Sequence, residues 1–573
     1  MSRIKCRFFL SDIDFFSEVQ YLIVISFPRK KGADPAVKFG RFGAKGRPAD
    51  DARVRAVMDE RKSRQERAAG LYKLVEDELG KKGIPLTAEE TAQLRETWGW
   101  LYDEGIVRPE WYSLFKAVTG EFHPDYIGND LHLYYVEEKL VDKGYIRGLC
   151  DKNIMPLLLP WAKHPRTLVR RLNGKYLDEN FNRITESDAV RILRANRHEG
   201  AVIKLCRSSG GKGVTFVSEE TTPDEIRKAL RESYYITVQA VVRQHPEMAK
   251  MNPTSVNTIR VMTIMIGGMP QVVSAVVRIG GLNSRVDNFH SGGMSCGIRP
   301  DGSLKDFACN MVGDRFTVHP NGFVFAEGKV PNFDLICETV KRMHNCLPMF
   351  GVISWDICLD EACEPVLIEY NIGGSVTVHQ LSNGPLYGEY RQQIVDEIFR
   401  DYHIPGATQD FNYELWRDHA EITKTGLEMD ELTIPAEIEG RPVRCIRHDV
   451  FKNHERLAGV EIAAALDRIE TLAFYNDRKL RRLSITGSVR QFDRSAFNNC
   501  THLKRVSIPE GTEVIEIRAF AFCPKLKEIS LPDSLKEMAP DALEGSKKAV
   551  VVCSPGSYAE AYAKENNIPY RTR

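Results

Sequence analysis

No Cys-x-x-Cys pair occurs anywhere in these 573 residues. The 13 cysteines are scattered and odd in number, which argues against a disulfide scaffold or a zinc site and for reduced thiols in a cytosol. An excess of one charge is also missing: 79 Lys and Arg face 78 Asp and Glu, a formal net charge of +1. Nothing in that balance asks for nucleic acid or an acidic membrane as a partner. Long clean hydrophobic runs are absent too. Phe8 to Phe27 comes nearest, but Asp12, Asp14 and Glu18 interrupt it. A spanning helix would not normally carry three acids, and no small-residue cleavage site follows. There is no Ser-His-Asp arrangement, no His-x-x-x-His pair and no heptad seam. What remains, with 43% hydrophobic residues, is globular protein too long for one core.

What is present begins with the stretch Gly351 to Gly374. Two apolar runs, Val352 to Leu359 and Pro365 to Tyr370, flank Asp360-Glu361-Ala362-Cys363-Glu364, a β-hairpin pattern. With the turn centred between Ala362 and Cys363, Asp356 falls opposite Glu369, and Asn371 shares the face of Glu369. Facing carboxylates cost stability unless a cation lies between them. Two carboxylates and an amide oxygen suit a hard cation that also carries phosphates, most simply Mg²⁺.

Upstream, the spacing predicts a basic flexible arm over 1–49 and a helical lead-in over 50–145. Thr87 and Glu90 form a capping-box start for one of its helices. In AVIKLCRSSGGKGVTFV, Ala201 to Leu205 reads as a strand, Ser208 to Gly213 as a glycine-rich turn and Val214 to Val217 as a returning strand. Glycines let backbone N–H groups approach a phosphate, and Lys212 adds charge. This is no Walker A loop, because Gly213 stands where Ser or Thr would hold Mg²⁺. Lys204 lies mid-strand among apolar residues and asks for an anionic partner. Asn257 to Ile266 and Gln271 to Gly280 predict a second hairpin across Gly267-Gly268, with Arg260 and Arg278 in its strands. Such arginines either snorkel at a sheet edge or bind phosphate or carboxylate.

The order of these features resembles the ATP-grasp superfamily. More closely, it resembles the sugar-transfer-associated ATP-grasp family, through DKN at Asp151, PRTLVRRLNGKY at Pro165, GGKGV at Gly210, RQHPEM at Arg243, SVNTIRVMT at Ser255, VDNFHSGG at Val286 and WD…LIEYN at Trp355. The resemblance covers roughly Phe122 to Ile398 and implies two α+β lobes clamping ATP, with Mg²⁺ bridging its phosphates. By position, it implies that Lys152 and Lys204 contact the nucleotide and that Ser209, Gly210, Gly211, Lys212 and Gly213 form a phosphate flap. Gln239 and the backbone of Val241 would make the adenine hinge, and Asp356, Glu369 and Asn371 would hold the metal. Arg260 and Arg278 would stabilise the transferred phosphoryl group, and Asn288 would border the acyl-phosphate site. Leu205 departs from the pattern, since proline is usual there. The implied domain spans 146–405.

Beyond a polar linker read at 406–429, Ala-Phe or its equivalent recurs every 23 residues at Phe451, Phe474, Phe497, Phe520 and Leu543. That period describes a leucine-rich repeat solenoid over 430–573. It resembles the bacterial surface-antigen (BspA-like) type, with SPGSYAEAYAKENNIPY as its closing cap. Cys500 and Cys523 fill a buried repeat position. The expected architecture is thus an α+β ATP-grasp domain with a helical lead-in and a C-terminal solenoid. The resemblance implies a cytoplasmic, Mg²⁺-dependent ligase joining a carboxylate to an amine, on small molecules or glycan-linked groups, with the repeats recruiting a protein or polymer. Two alternatives stand beside it: a phosphotransferase acting on a hydroxyl, and an interaction protein with an inactive ATP-grasp unit.

Overall fold

The computed structural model describes residues 52–206, 213–287, 292–425 and 429–573. The basic arm expected over 1–49 therefore lies outside the described residues. Those described form two compact units: 68–398, and 399–573 together with 52–67.

In the first unit, the lead-in helices from residue 68 onward belong to the same compact body as the sheets that follow. Helix Ala88–Trp98 starts at the expected capping box, with the Thr87 hydroxyl accepting from the Glu90 N–H at 3.1 Å and the Glu90 carboxylate accepting from the Thr87 N–H at 2.8 Å. The lead-in is pinned to the later chain by amide side chains. Gln380 accepts from the Ile127 N–H at 2.7 Å and donates to the Ile127 carbonyl at 2.8 Å. Asn129 donates to the Ser375 hydroxyl at 2.9 Å and accepts from the Val376 N–H at 3.2 Å. These bonds cross more than 240 residues of sequence and fix the loop that follows Asn371.

Two antiparallel sheets follow. The smaller joins β1 (Thr167–Leu172), β2 (Lys175–Leu177), β3 (Ala201–Leu205), β4 (Val214–Val217) and β5 (Ile236–Ala240) in the order β2-β1-β5-β3-β4. Period-two alternation divides its faces. Ala201, Ile203, Ile236 and Val238 enter a core with helices Glu186–Ala195 and Pro223–Arg231, leaving Val202, Lys204 and Gln239 on the opposite face. Leu205 keeps the strand regular. Its N–H donates to the Gly213 carbonyl at 3.2 Å, a bond proline has no hydrogen to make. Its side chain lies against Gly213, where φ is +71°.

The larger sheet runs β10-β9-β8-β7-β6-β11-β12, comprising β6 (Thr258–Ile266), β7 (Met269–Ile279), β8 (Met294–Ile298), β9 (Leu304–Cys309), β10 (Arg315–Phe316), β11 (Val352–Leu359) and β12 (Pro365–Asn371). Gly267 and Gly268 turn β6 into β7 with φ of +57° and +78°, the double left-handed conformation of a tight hairpin. One face buries Ile259, Val277, Trp355 and Ile357. The other carries charge.

In the second unit the 23-residue step becomes parallel strand pairing, with Val460 beside Leu483, Leu466 beside Val489 and Val506 beside Ile529. Phe451, Phe474, Phe497 and Phe520 stack in one column, with ring centroids 5.0, 4.8 and 5.3 Å apart. Beside them Asn499 donates to Asn476 at 2.6 Å, and Asn476 to Asn453 at 2.7 Å. All three asparagines sit at φ near +60°, a conformation asparagine tolerates better than other side-chain-bearing residues. Cys500 and Cys523 are fully buried, with thiols directed at the Phe474 and Phe497 carbonyls. The closing cap is helix Tyr558–Glu565 and strand Tyr570–Thr572, which pairs with Val551 to Cys553.

Of the linker expected over 406–429, the stretch 406–425 is instead built of short strands. Ile404–Ala407, Phe411–Leu415 and Ala420–Thr425 form antiparallel pairs, and the last continues in parallel into the solenoid sheet at Val443. Its polar residues alternate with buried Phe411, Tyr413, Leu415, Ala420 and Ile422. The segment looks polar because one face of a short capping sheet is wet.

Candidate functional site

A cavity of about 330 Å³ lies in the first unit, lined by both of its sheets. From the larger sheet come four pairs of residues two apart on four adjacent strands: Thr258 and Arg260, Val276 and Arg278, Ser354 and Asp356, Glu369 and Asn371. That is the period of one sheet face. The smaller sheet contributes Val202, Lys204 and Gln239.

The hairpin register decides the chemistry. Asp356 pairs with Glu369, and Ser354 with Asn371. Next to the turn, however, Ile357 pairs with Leu367 and Leu359 with Pro365. A turn centred one half-residue earlier than the sequence suggests is therefore offset by a bulge between Asp356 and Ile357. The bulge returns Glu369 to the position opposite Asp356.

Arg260 stands opposite Asp356 on the neighbouring strand and grips both carboxylate oxygens at 2.7 Å. Arg278 approaches the same carboxylate at 3.6 Å and Asp287 at 3.7 Å, while its Nε is buried without a hydrogen-bond partner. Thr258 bonds Asp287. Asn371 donates to Asp356 at 3.3 Å. Lys152 reaches Glu369 at 3.0 Å. It is positioned by the adjacent Asn153, whose amide donates to the Cys206 thiol at 2.9 Å and to the Ile236 carbonyl at 3.3 Å.

Burial alone would raise the Glu369 carboxyl, but the charges of Lys152 and Lys204 outweigh it and hold it well below the usual range. Burial would likewise lower Lys152, yet Glu369 keeps its ammonium above the ordinary value. At Lys204 burial wins and the pKa falls, with Glu369 opposing and the neighbouring Lys152 adding to the drop. No carboxylate among the described residues comes within ion-pair distance of Lys204. The cavity is therefore lined by five cations (Lys152, Lys204, Arg260, Arg278, Arg285) against four carboxylates (Glu78, Asp287, Asp356, Glu369), an excess of one suited to a bound anion.

Among the described residues no group of three or more His, Cys, Asp or Glu is placed to hold a metal. Two carboxylates and one amide oxygen instead fit an ion that brings most of its own ligands, as Mg²⁺ does with phosphate oxygens and water. The donor set thus fits Mg²⁺ arriving with a nucleotide better than a resident ion.

Gln239 lines the cavity and is nearly buried. The Val241 N–H does not face an incoming base, because it donates to the Gly200 carbonyl at 3.1 Å. Its carbonyl remains, and the next residue, Val242, lines the cavity with an N–H that bonds no described residue. The backbone N–H at this edge of the cavity that bonds no described residue is thus that of Val242, one residue beyond Val241. Sequence reasoning also missed Val75, Glu78 and Leu79 at the end of helix Ala52–Leu79, which border the cavity. It missed His379, which is buried, bonded through Nδ1 to Ser274 at 2.9 Å and left with an unpartnered Nε2. Burial beside Arg260, His132 and Arg278 pulls its pKa down to about 3, so it is neutral. Ser209, Gly210, Gly211, Lys212 and Asn288 lie outside the described residues; Gly213 is described, beside Leu205.

Residues 174–394 match the family model described as sugar-transfer associated ATP-grasp. Residues 425–550 match that of the BspA type leucine rich repeat region, in 6 copies. The first match begins after Lys152 and within the last three residues of the Pro165 motif, later than the resemblance extended. None of the curated proteins matches the chain. Among solved structures, a leucine rich repeat protein of T. pallidum is 26% identical over 26% of this chain and 70% of its own, with a TM-score of 0.25. D-alanyl-alanine synthetase A of Vibrio cholerae is 14% identical over 44% of this chain and 66% of its own, with a TM-score of 0.28. The biotin carboxylase domain of the Hydrogenobacter thermophilus 2-oxoglutarate carboxylase, in complex with MgADP, is 11% identical over 44% and 46%, with a TM-score of 0.27. The chain joins a sugar-transfer associated ATP-grasp domain to a BspA type leucine-rich repeat solenoid.

Proposed function

We propose that the ATP-grasp domain uses ATP to activate a carboxylate for attack by an amine. A substrate carboxylate oxygen displaces ADP from the γ-phosphorus. The amine nitrogen then adds to the acyl carbon, inorganic phosphate leaves and the amine proton passes to solvent. The observation that carries this reading is the cation excess around one cavity, above all Lys204, half-buried beside Lys152 without an ion-pair partner among the described residues. A phosphate chain would supply the missing negative charge.

In this reading Lys152 and Lys204 hold phosphates, with Ser209 to Gly213 folding over them. Gln239, the Val241 carbonyl and the Val242 N–H meet the adenine edge. Asp356, Glu369 and Asn371 would hold Mg²⁺, which when bound neutralises phosphate charge. Arg260, which holds Asp356 in the structure, and Arg278 would stabilise charge on the transferred group. Asn288 borders the acyl group. The domain then needs cytosolic ATP, and its product belongs to polysaccharide or cell-envelope modification. No helix among the described residues is long and apolar enough to cross a membrane.

ADP release with Mg²⁺, pooled amino acids and nucleotide sugars, and hydroxylamine as an acyl trap, tests the reading. ADP should form only with an added carboxylate, yield hydroxamate and fall at least about 100-fold in Glu369→Gln. ADP with a hydroxyl acceptor and no hydroxamate would move the assignment to phosphotransfer. Absence of ATP binding by calorimetry would discard both.

A further inference from the structure

Cations on most of the solenoid surface have partners. Arg490 and Lys536 flank Glu513 at 3.6 and 2.8 Å, Arg518 meets Glu544 at 2.8 Å, and Arg456 meets Asp430 at 2.7 Å. One edge differs. In the corner preceding each strand of one face, the 23-residue step aligns Arg481, Lys504 and Lys527 in one column, and Lys479, Lys525 and Lys548 in a second, where His502 takes the intervening place. The alignment is physical, since the Lys527 N–H donates to the Lys504 carbonyl at 2.8 Å. All six cations are exposed, and none forms an ion pair with a described residue.

Successive layers lie about 4.8 Å apart, so like charges stack directly above one another. Such stacking opposes folding; alternating signs, as at Arg490, Glu513 and Lys536, would be the stable choice. The row is also bare of apolar side chains, because Leu480, Leu503 and Leu526 in these corners point into the core. A protein partner would want an aromatic or aliphatic anchor, and a single-stranded nucleic acid would want rings for its bases to stack on. The segments 478–482, 501–505 and 524–528 hold no Phe, Trp or Tyr, and His502 is their one ring. A charged polymer that needs neither is left.

We infer that this edge of the solenoid binds a linear anionic glycan, laid along the repeat axis with its acidic groups on successive layers. The inference stands on the second unit alone and does not depend on the ligase reading.

Heparin serves as the probe, with the full chain titrated by fluorescence anisotropy over a range of salt. The variant Arg481→Glu/Lys504→Glu/Lys527→Glu should bind at least about tenfold more weakly, and its logarithmic salt slope should flatten by about 2–3. The control Arg490→Glu/Arg518→Glu/Lys536→Glu, with the same charge change on the paired surface, should retain affinity. Thermal unfolding checks each variant; should the reversal unfold, Lys504→Gln/Lys527→Gln replaces it, with a weaker shift in the same direction. Equal losses in both variants would overturn the inference. So would tighter binding of oligo-dT or polyphosphate than of heparin at equal charge, which would assign the edge to phosphate polymers, or capture of an acidic peptide in preference to either.

Discussion

The two units handle charge in opposite ways. In the ATP-grasp unit, Lys152, Lys204, Arg260 and Arg278 come from distant parts of the chain and converge on one enclosed face. In the solenoid, cations of the same kind are spread along the outside, one layer at a time, while the interior is a column of phenylalanines. The difference teaches where each unit's stability comes from. The solenoid buries like upon like and is stable by repetition. The ATP-grasp unit gathers charges whose excess is costly until an anion balances it, and Lys204 is the cation left without an ion-pair partner among the described residues.

Three substitutions probe this contrast, the largest first. Phe497→Ala removes the middle of the stacked column, a fully buried ring between Phe474 and Phe520. It should cost the solenoid about 3–5 kcal/mol, seen as a lower unfolding midpoint, with ATP binding by calorimetry unchanged. A parallel loss of ATP binding would show that the units do not fold independently. Lys204→Met should do the reverse in the other unit. Exchanging a half-buried ammonium for a thioether of similar length should stabilise it by about 1 kcal/mol and weaken ATP binding at least about tenfold. If stability fell instead, Lys204 would already be satisfied within the protein.

The smallest effect concerns pH. Burial lowers the His344 pKa to about 4. The neutral ring bonds Thr263 through Nδ1 at 2.7 Å and the Phe350 carbonyl through Nε2 at 2.6 Å, while Trp355 donates to the same Thr263 hydroxyl at 2.8 Å. Between the ordinary pKa of 6.5 and about 4, the unfolded chain binds a proton that the folded chain does not. Stability is therefore full above pH 6.5 and declines as the pH falls through that window. His344→Gln should flatten the decline in acid-unfolding curves while lowering stability at neutral pH. An unchanged slope would place the acid sensitivity elsewhere.

Much of this was legible in the sequence, for physical reasons that also mark its limits. The solenoid was readable because a period repeats the same evidence several times. Asp356 and Glu369 were readable as a pair because a hairpin ties register to distance from the turn. Yet the turn lies half a residue from where counting puts it, and only a bulge restores the pairing; no residue type announces that bulge. That the Val241 N–H is taken by the Gly200 carbonyl was not legible, because this partner lies on a neighbouring chain segment that local pattern does not specify. Val75, Glu78, Leu79 and His379 were invisible for a related reason: helix-borne residues reach the cavity through packing between elements. The capping strands over 404–425 were mistaken for a linker because half of their residues face water.

The asparagine column carries a last consequence. Asn453, Asn476 and Asn499 continue one another, and the next place is held by Phe522, exposed and also at positive φ. Asn476 and Asn499 each hand their amide to the layer before, so duplicating or excising 23 residues within this run would leave every remaining hand-off intact. An insertion of any other length would set asparagine against a residue unable to answer it. Copy number in this part of the array is thus free to drift in whole steps, and the reach of the solenoid can lengthen or shorten without redesign of its interior.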